Sequence, residues 1–156
     1  DFENLTAKEL KRNGYDTQRA AMAPRAGFAA AFMPYDVNHP EAACLTAEDV
    51  ARLSLREAQP VIYRAGIMMT SGQNKGVMLR TLLCKLRKHY DRIVFVDDQQ
   101  KHVDRMFTAY ENQPGDVRAI RYGQMDGQVA AFNASDKSEV RGQWQRLKSV
   151  IEDIFR

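Results

Sequence analysis

Two adjacent carboxylates and one lysine carry the clearest chemical signal in this sequence. Asp97 and Asp98 directly follow the apolar run at residues 93–96, and Lys75 lies in a short polar segment that follows Thr70. Adjacent carboxylates repel each other, and a divalent cation, a basic side chain or backbone N–H groups usually keep both ionised. A carboxylate pair for Mg²⁺ beside a lysine for phosphate is what phosphoryl transfer needs, because that chemistry is mostly positioning and charge neutralisation. The sequence therefore suggests a phosphate site.

Other interpretations of the polar residues need no ligand. The acidic pair can be a loop whose second residue, Asp98, caps the next helix. His39 beside Asp36 could form a metal or acid–base pair, but both lie in a proline-bounded segment that is typical of a loop. Cys44 and Cys84 can form at most one disulfide and lack metal-ligand spacing. Cys84 lies in an apolar run and is expected to be a buried thiol, so cysteine chemistry is not indicated.

The predicted strands place the candidate residues at one edge of a sheet. The apolar run at residues 93–96 is typical of a strand buried on both faces of a mostly parallel sheet. Residues 61–63 and 67–70 predict a hairpin whose second strand is central in the sheet. If that strand, residues 93–96 and a strand at 117–122 are parallel, the segments that follow them open on the same edge. This edge is where open α/β sheets bind ligands.

Helices alternate with these strands. Leucines at helical spacing predict a helix at residues 77–89, and further helices are predicted at 99–110 and 138–154. The last helix is expected to bury one apolar face, formed by Val140, Trp144, Leu147, Val150 and Ile151. The alternating order implies right-handed crossovers and a three-layer α/β/α sandwich with a mostly parallel sheet.

The flanking segments carry weaker patterns. Residues 6–14 predict a short helix that Thr6 caps and that buries Leu5. Another helix is expected over residues 46–58, and residues 123–135 are typical of a loop.

The composition is that of an ordinary folded chain. The 156 residues include 23 basic and 20 acidic side chains, mixed along the sequence, with a net charge of +3. This balance gives no argument for nucleic-acid binding. No apolar run approaches membrane-spanning length and no signal peptide is visible, so no membrane partner is expected.

The motifs, in this order and spacing, resemble two catalogued groups of proteins. Residues 71–76, an intervening helix and residues 93–98 resemble the third and fourth motifs of the haloacid dehalogenase (HAD) superfamily. Residues 66–70, 74–76 and 95–98, with the opening pattern TxxxLxxNG, are more closely similar to a bacterial HAD-like family, DUF2608.

The resemblance implies a role for each candidate residue. Lys75 would be the catalytic lysine that holds the phosphoryl group and steadies the charge of the nucleophile. Asp97 and Asp98 would hold Mg²⁺, directly or through water. Thr70 and Ser71 would lie close enough to contribute to phosphate binding. The implied activity is that of a Mg²⁺-dependent phosphomonoesterase acting on a small phosphorylated substrate, in a Rossmann-like fold.

One part of the HAD pattern has no counterpart. HAD phosphatases attack with the first Asp of a DxDx[T/V] motif, and no DxD occurs in this sequence, residues 1–3 being the nearest imitation. We therefore expect a C-terminal portion of a HAD-like protein, with the missing N-terminal portion as a partner. The expected parts are a core helix at 1–16, an insertion or cap-like segment at 17–60, and an α/β core with both motifs at 61–156. Within the insertion, residues 27–33 fit a strand or a helical turn equally well.

Two alternatives to a phosphatase remain. A HAD-like fold that has lost catalysis would serve as a binding or interaction module, and the presence or absence of DxDx[T/V] upstream would discriminate. A phospho-receiver domain also combines an acidic pair with a lysine, but its lysine follows the acids, whereas Lys75 precedes them. The compartment, bacterial periplasm or cytoplasm, stays open.

Overall fold

A computed structural model describes residues 2–19, 21–22 and 29–155, and its contacts divide the chain into unit 1, residues 1–121, and unit 2, residues 122–156. The described part of unit 1 contains α1 Phe2–Arg12, β1 Ala31–Phe32, a 3₁₀ helix Pro40–Ala43, α2 Ala47–Arg52, β2 Val61–Arg64, β3 Ile67–Met69, α3 Lys75–Leu86, β4 Arg92–Asp97, α4 Gln100–Tyr110 and β5 Asp116–Arg121. Unit 2 contains α5 Asp126–Ala134 and α6 Ser138–Ile154. The fold is mixed α/β, and the predicted division at residues 16 and 60 stays a prediction.

The described strands of unit 1 form two small sheets. β1, β2 and β3 are antiparallel in that order, and β4 and β5 run parallel. The predicted hairpin is confirmed as β2 and β3, which turn over Ala65 and Gly66, both with positive φ. A Cβ on Gly66 would collide with the backbone carbonyl of Thr17, so the turn requires glycine. In the parallel pair, Asp97 lies opposite Arg121 in the register.

The strand environments differ from the expected ones. Among the described strands, β3 pairs with β2 alone and lies at an edge, not at the centre of a sheet. On β4, Ile93 and Phe95 pack against the core, whereas Val94 and Val96 are 59% and 55% exposed. The prediction that this strand is buried on both faces is therefore wrong for the described chain. A short apolar run favours a strand, but it does not specify how many layers cover it.

The core of unit 1 is formed by α3, α4, the inner face of the β4–β5 pair and buried residues between positions 35 and 61. Val77 and Met78 of α3 meet Met106 and Ala109 of α4, and all four are buried. The predicted helices are confirmed with small shifts, since α3 begins at Lys75 and α4 at residue 100.

The N-terminal helix begins earlier than its sequence pattern predicts. α1 starts at Phe2, so Thr6 lies inside the helix and is not its cap, and Leu5 is 59% exposed instead of buried. The predicted stop is confirmed at Gly14, which has φ +84°. In the ambiguous segment 27–33, residues 31 and 32 form β1, and residues 27 and 28 lie outside the described residues.

α2 has the predicted start but is shorter than expected. The Oγ1 atom of Thr46 accepts a hydrogen bond from Asp49 N at 3.0 Å, and Asp49 Oδ2 accepts one from Thr46 N at 3.1 Å. This reciprocal pair is a capping box, which favours a helix start. The helix ends at Arg52 because Ser54 adopts φ +50°, outside the right-handed helical region.

The described part of unit 2 contains two helices. α5 lies within the predicted loop at residues 123–135, where three alanines and an acidic first turn favour helix. α6 has the predicted bounds. Its apolar side chains were expected to be buried but are exposed: Val140 by 65%, Trp144 by 61%, Leu147 by 50%, Val150 by 54% and Ile151 by 44%. Helical spacing specifies an amphipathic face, but it does not specify the surface that covers that face.

A disulfide joins Cys44, just after the 3₁₀ helix, to Cys84 in the last turn of α3. The Cα atoms are 5.9 Å apart. The prediction of a buried free thiol at Cys84 is therefore wrong. The apolar neighbours of Cys84 gave no indication of its partner, because the two cysteines lie 40 residues apart in the chain.

None of the helices in the described ranges is long and apolar enough to cross a membrane.

Candidate functional site

Lys75 is the first residue of α3, and the start of that helix is well fixed. Asn74 is the N-cap, and its Oδ1 atom accepts hydrogen bonds from Gly76 N at 3.0 Å and Val77 N at 3.3 Å. These bonds satisfy two N–H groups that would lack partners within the helix. The side-chain amide of Gln73 accepts a hydrogen bond from Gln59 N and donates to the carbonyls of Gln59 and Thr70. Lys75 therefore extends from a turn whose backbone is held by hydrogen bonds.

Gly76 lets the start of α3 approach α4 closely. A Cβ at this position would lie 2.6 Å from Ala109 Cβ and 3.0 Å from Arg105 O. Both distances are shorter than ordinary van der Waals contact, so the observed approach requires glycine. The close approach brings the first turn of α3 beside the helix that follows Asp97 and Asp98.

Lys75 and Asp97 form an ion pair at the carboxyl end of β4. Lys75 Nζ donates a hydrogen bond to Asp97 Oδ2, with 2.5 Å between the two atoms. The other carboxylate oxygen, Oδ1, accepts a hydrogen bond from Gln99 N at 3.0 Å. The Asp97 side chain is 5% exposed and that of Lys75 is 38% exposed. The pair thus combines a buried anion with a cation that reaches solvent.

The pKa of Asp97 lies below its usual range. Burial is the largest single influence and raises this pKa. The hydrogen bonds from Lys75 and from Gln99 N, together with the positive charge of Lys75, lower it by more. Asp97 is therefore ionised at neutral pH and attracts either an ammonium group or a metal cation.

The other predicted site residues have different surroundings. Asp98 is exposed, and its side chain makes no hydrogen bond or ion pair in the described part of the chain. Ser71 adopts φ +52°, and its hydroxyl donates a hydrogen bond to a backbone carbonyl that precedes β2. The Thr70 carbonyl accepts bonds from the loop that follows it. Among the described contacts, Lys75 and Asp97 meet each other, and neither meets Thr70 or Ser71.

His102 is a neighbour of the pair that the sequence did not single out. It lies in the first turn of α4, where burial, as the largest cause, and the charge of Lys75 lower its pKa while Asp97 opposes them. Its Nδ1 atom is buried and has no hydrogen-bond partner among the described residues. The sequence position of His102 could have indicated this. A residue in the first turn of a helix that directly follows Asp97 and Asp98 lies near the end of their strand.

The donor set fits part of a Mg²⁺ coordination sphere. Mg²⁺ often takes one or two carboxylates and completes its octahedron with water and substrate phosphate. Asp97 and Asp98 are two such carboxylates, and Lys75 can bind a phosphate oxygen. No group of three or more His, Cys, Asp or Glu side chains suited to a metal occurs in the described ranges. A Mg²⁺ ion held here would therefore rely on water and phosphate for its remaining ligands.

The comparison with known families covers almost the whole chain. The model of a family described as a protein of unknown function (DUF2608) matches residues 2–155. The chain belongs to DUF2608. This confirms the similarity to DUF2608 that the motifs indicated. No curated protein and no solved structure matches this DUF2608 chain.

A buried ion cluster holds the helix that carries Lys75 in this DUF2608 protein. Further along α3, Arg80 donates hydrogen bonds to Asp49 Oδ1 at 2.9 Å, to Asp49 Oδ2 at 2.8 Å and to Ala109 O at 2.9 Å. The two charged side chains are 5% and 7% exposed. Arg52 adds a hydrogen bond to Asp49 at 3.0 Å. The bonds from Arg80 hold the pKa of Asp49 far below its usual range, so the cluster stays charged.

Proposed function

We propose that this DUF2608 protein is a Mg²⁺-dependent phosphomonoesterase of the HAD type. Lys75 binds the phosphoryl group, Asp97 and Asp98 hold Mg²⁺, and the substrate is a small phosphorylated molecule. The observation that carries the proposal is the direct contact between Lys75 at the start of α3 and Asp97 at the end of β4. The order, spacing and residue types of these two segments resemble the third and fourth HAD motifs.

The charges of the pair suit a phosphate ligand. The Lys75 ammonium is partly exposed, and it lies at a helix N-terminus, where the helix dipole also favours an anion. Asp97 holds this ammonium in position from a buried site. When bound, Mg²⁺ would neutralise phosphate charge and offset the repulsion between phosphate and the two carboxylates.

The proposal does not assign the nucleophile to these residues. The DxDx[T/V] motif of HAD phosphatases is absent from the 156 residues, and Asp1 lies outside the described residues. The chain is proposed to supply the lysine and the metal-binding carboxylates. Thr70 and Ser71 are left as weaker candidates for phosphate contact, because the Ser71 hydroxyl is engaged with the backbone.

We also propose that β4 and β5 belong to a larger sheet of the three-layer HAD type. Val94 and Val96 support this, because their exposed apolar side chains form a strand face that a second helical layer would cover. A structure of the natural full-length protein in which this face stays open to solvent would count against it.

The disulfide supports the bacterial periplasm over the cytoplasm. Disulfides persist in oxidising compartments and are rare where thiols are kept reduced. Cys44 and Cys84 are therefore proposed to be oxidised in the cell. Alkylation of thiols in freshly lysed cells tests this, and quantitative labelling of both cysteines before reduction would refute it.

A HAD-like binding module without catalysis is the second candidate. A DxDx[T/V] motif upstream of these residues would favour the enzyme, and its absence there would favour this module. Such a module would bind phosphate at Lys75 without cleaving an ester.

Hydrolysis of p-nitrophenyl phosphate by the natural full-length protein, with and without Mg²⁺, tests the proposal. Lys75→Ala and Asp97→Ala are each expected to lower kcat by about 10²–10³-fold, the usual cost of removing an electrostatic contact to the transition state. Asp104→Ala is the matched control, because Asp104 is exposed on α4 and bonds to Gln100. Full activity in Lys75→Ala would refute its assigned role. Phosphate binding without hydrolysis would favour the binding module.

A further inference from the structure

The Cys44–Cys84 disulfide lies at the surface of unit 1. Cys44 is exposed and Cys84 is half-buried. Both cysteines line a pocket of about 210 Å³, which the segment before β4 and the C-terminal end of α4 complete. That volume holds several water molecules, so the pocket admits a small thiol. Exposed disulfides are the ones that thiols reduce most readily, whereas the structural disulfides of secreted proteins resist reduction.

The charges around Cys84 favour disulfide exchange. A thiolate is both the nucleophile and the leaving group of that reaction, so positive charge beside the sulfur atoms stabilises both. Cys84 lies in the last turn of α3, and a helix C-terminus carries about half a negative charge, which opposes a thiolate. Lys85, Arg87 and Lys88 follow Cys84 closely, and Lys88 lines the pocket with both cysteines. Three full positive charges outweigh the charge of the helix end.

Contacts other than the disulfide hold the two cysteines together. Leu45, next to Cys44, is 2% exposed and belongs to the core. Arg80 lies one turn before Cys84 on α3. It donates hydrogen bonds to both carboxylate oxygens of Asp49, and its Nη2 atom lies 3.5 Å from Cys44 O. These contacts do not involve sulfur, so the reduced chain should keep the cysteines near their Cα separation of 5.9 Å. That separation allows a disulfide to form, and the bond is therefore expected to re-form after reduction.

We propose that Cys44–Cys84 is a redox-active disulfide that exchanges reversibly with small thiols while the protein stays folded. An incoming thiolate attacks the Sγ atom of Cys44, the more exposed cysteine; the S–S bond breaks, and its electron pair leaves on Cys84 Sγ as a thiolate. A second thiolate then attacks the sulfur atom that the first thiol contributed, and Cys44 leaves as a thiolate. The two cysteine thiolates take up the protons that the two thiols released, so one disulfide of the small thiol forms as the protein disulfide is reduced. This site does not involve the Lys75–Asp97 pair, so it does not depend on the phosphatase proposal.

The kinetics of reduction of the folded full-length protein test the proposal. The protein is incubated with dithiothreitol, quenched with a maleimide and analysed by mass spectrometry, while circular dichroism follows the helices. We expect a rate proportional to the dithiothreitol concentration, because direct attack is bimolecular, and a helical signal that persists. A rate that levels off at the rate of global unfolding would show that the bond reacts only in the unfolded chain, and would overturn the proposal.

Reversibility is tested on the reduced protein after dithiothreitol has been removed. Oxidised glutathione should restore the Cys44–Cys84 bond without a change in the helical signal, because the two cysteines stay close together. A reduced protein that unfolds, or that ends with glutathione on both cysteines instead of the intramolecular bond, would overturn the proposal.

Two further measurements locate the attack. Reduced glutathione, added to the oxidised protein and quenched with acid before the reaction is complete, should leave a mixed disulfide at Cys44 that peptide mass spectrometry detects. Lys88→Gln should slow reduction at low salt by about two- to fivefold, the effect expected for one exposed charge. Lys148→Gln, at an exposed lysine outside the pocket lining, is the matched control and should leave the rate unchanged. A mixed disulfide at Cys84 alone, together with an unchanged rate in Lys88→Gln, would overturn the assigned route of attack.

Discussion

The Lys75–Asp97 pair balances opposing effects at the scale of single side chains. Burying the Asp97 side chain to 5% exposure removes water from a carboxylate, which raises the free energy of its charged form. Hydrogen bonds from Lys75 Nζ and Gln99 N offset that cost. Because Lys75 is 38% exposed, solvent screens the pair and limits its contribution to stability.

Asp97→Asn is expected to lower the free energy of unfolding by about 1–2 kcal/mol at pH 7, because it removes a charge-assisted hydrogen bond that solvent partly screens. The pKa of Asp97 is lower in the folded chain than in the unfolded one. Its stabilisation is therefore fully present above the unfolded pKa, about 3.9, and is lost as the pH falls through the folded pKa. Denaturant unfolding at pH 7 and pH 3 should show a smaller difference between the two proteins at pH 3.

The control for this comparison is Asp104→Asn, at an exposed carboxylate of α4. Its effect should stay within about 0.5 kcal/mol at both pH values. An Asp97→Asn effect that is the same at pH 7 and pH 3 would contradict the assigned ionisation.

Arg80→Met should destabilise unit 1 by about 3–5 kcal/mol, because it leaves the Asp49 carboxylate buried with too few partners. Arg52→Met removes a more exposed partner of the same carboxylate, 21% against 5% exposed, and should cost about 1 kcal/mol. Thermal or denaturant unfolding of both variants gives the comparison. Equal losses in the two would argue against the central role of Arg80 in the cluster.

The sequence predicted some of these residues and missed others for physical reasons. Strand ends and helix starts have local sequence signals, and these led to Asp97 and Lys75. Asp49 and Arg80 are 31 positions apart and have no local signal for their pairing. An Asp near a helix start is expected to cap that helix, so the sequence gave no reason to assign Asp49 a second role as the partner of Arg80. The functional roles of Lys75, Asp97 and Asp98 stay predictions.

At the scale of elements, packing brings the pair together by a route other than the predicted one. The sequence predicted that the strand before Lys75 and the strand before Asp97 belong to one sheet and that the segments following them open on the same edge. In the described chain, β3 and β4 lie in different sheets, and Lys75 reaches Asp97 because α3 packs closely on α4. Gly76 allows that approach. The sequence alone does not show whether a glycine in a helix is required for close packing, so this role could not be predicted.

Gly76→Ala is expected to destabilise unit 1 by about 1–3 kcal/mol, because the added methyl group would overpack the contact with Ala109. Gly142→Ala in α6 is the matched control, since a Cβ there meets nothing within 4 Å. That change should leave the helix unharmed or stabilise it by up to about 1 kcal/mol. Unfolding monitored by circular dichroism tests both, and a neutral Gly76→Ala would show that the two helices can separate at little cost.

Element boundaries and element burial differ in how far the sequence predicts them. Capping and spacing predicted the start of α2 and both ends of α6. Burial was predicted wrongly for the outer face of β4 and for the apolar face of α6. Periodicity is a property of one segment, whereas burial depends on what packs against that segment.

At the scale of the whole molecule, a disulfide connects two distant positions in the sequence of unit 1. The Cys44–Cys84 disulfide joins positions 40 residues apart and connects the 3₁₀ helix region to α3. Cross-linking restricts the unfolded chain more than the folded one, and the restriction grows with the length of the closed loop. The bond therefore stabilises the segment that carries Asp49 against the helix that carries Arg80.

The double change Cys44→Ser with Cys84→Ser is expected to lower the free energy of unfolding by about 4 kcal/mol, from the loop entropy of a separation of 40 residues. A reducing agent should have a comparable effect on the unmodified protein. Reductant should leave the double variant unchanged, which serves as the control. Identical unfolding curves with and without reductant in the unmodified protein would contradict the bond.

Binding of inorganic phosphate to the full-length protein, measured by isothermal titration calorimetry with and without Mg²⁺, tests the central claim most directly because it requires no nucleophile. The account predicts saturable binding that depends on Mg²⁺ and weakens by at least about tenfold in Lys75→Met, with Lys148→Met unchanged as the control. Phosphate affinity that is the same in Lys75→Met as in the unmodified protein would contradict it.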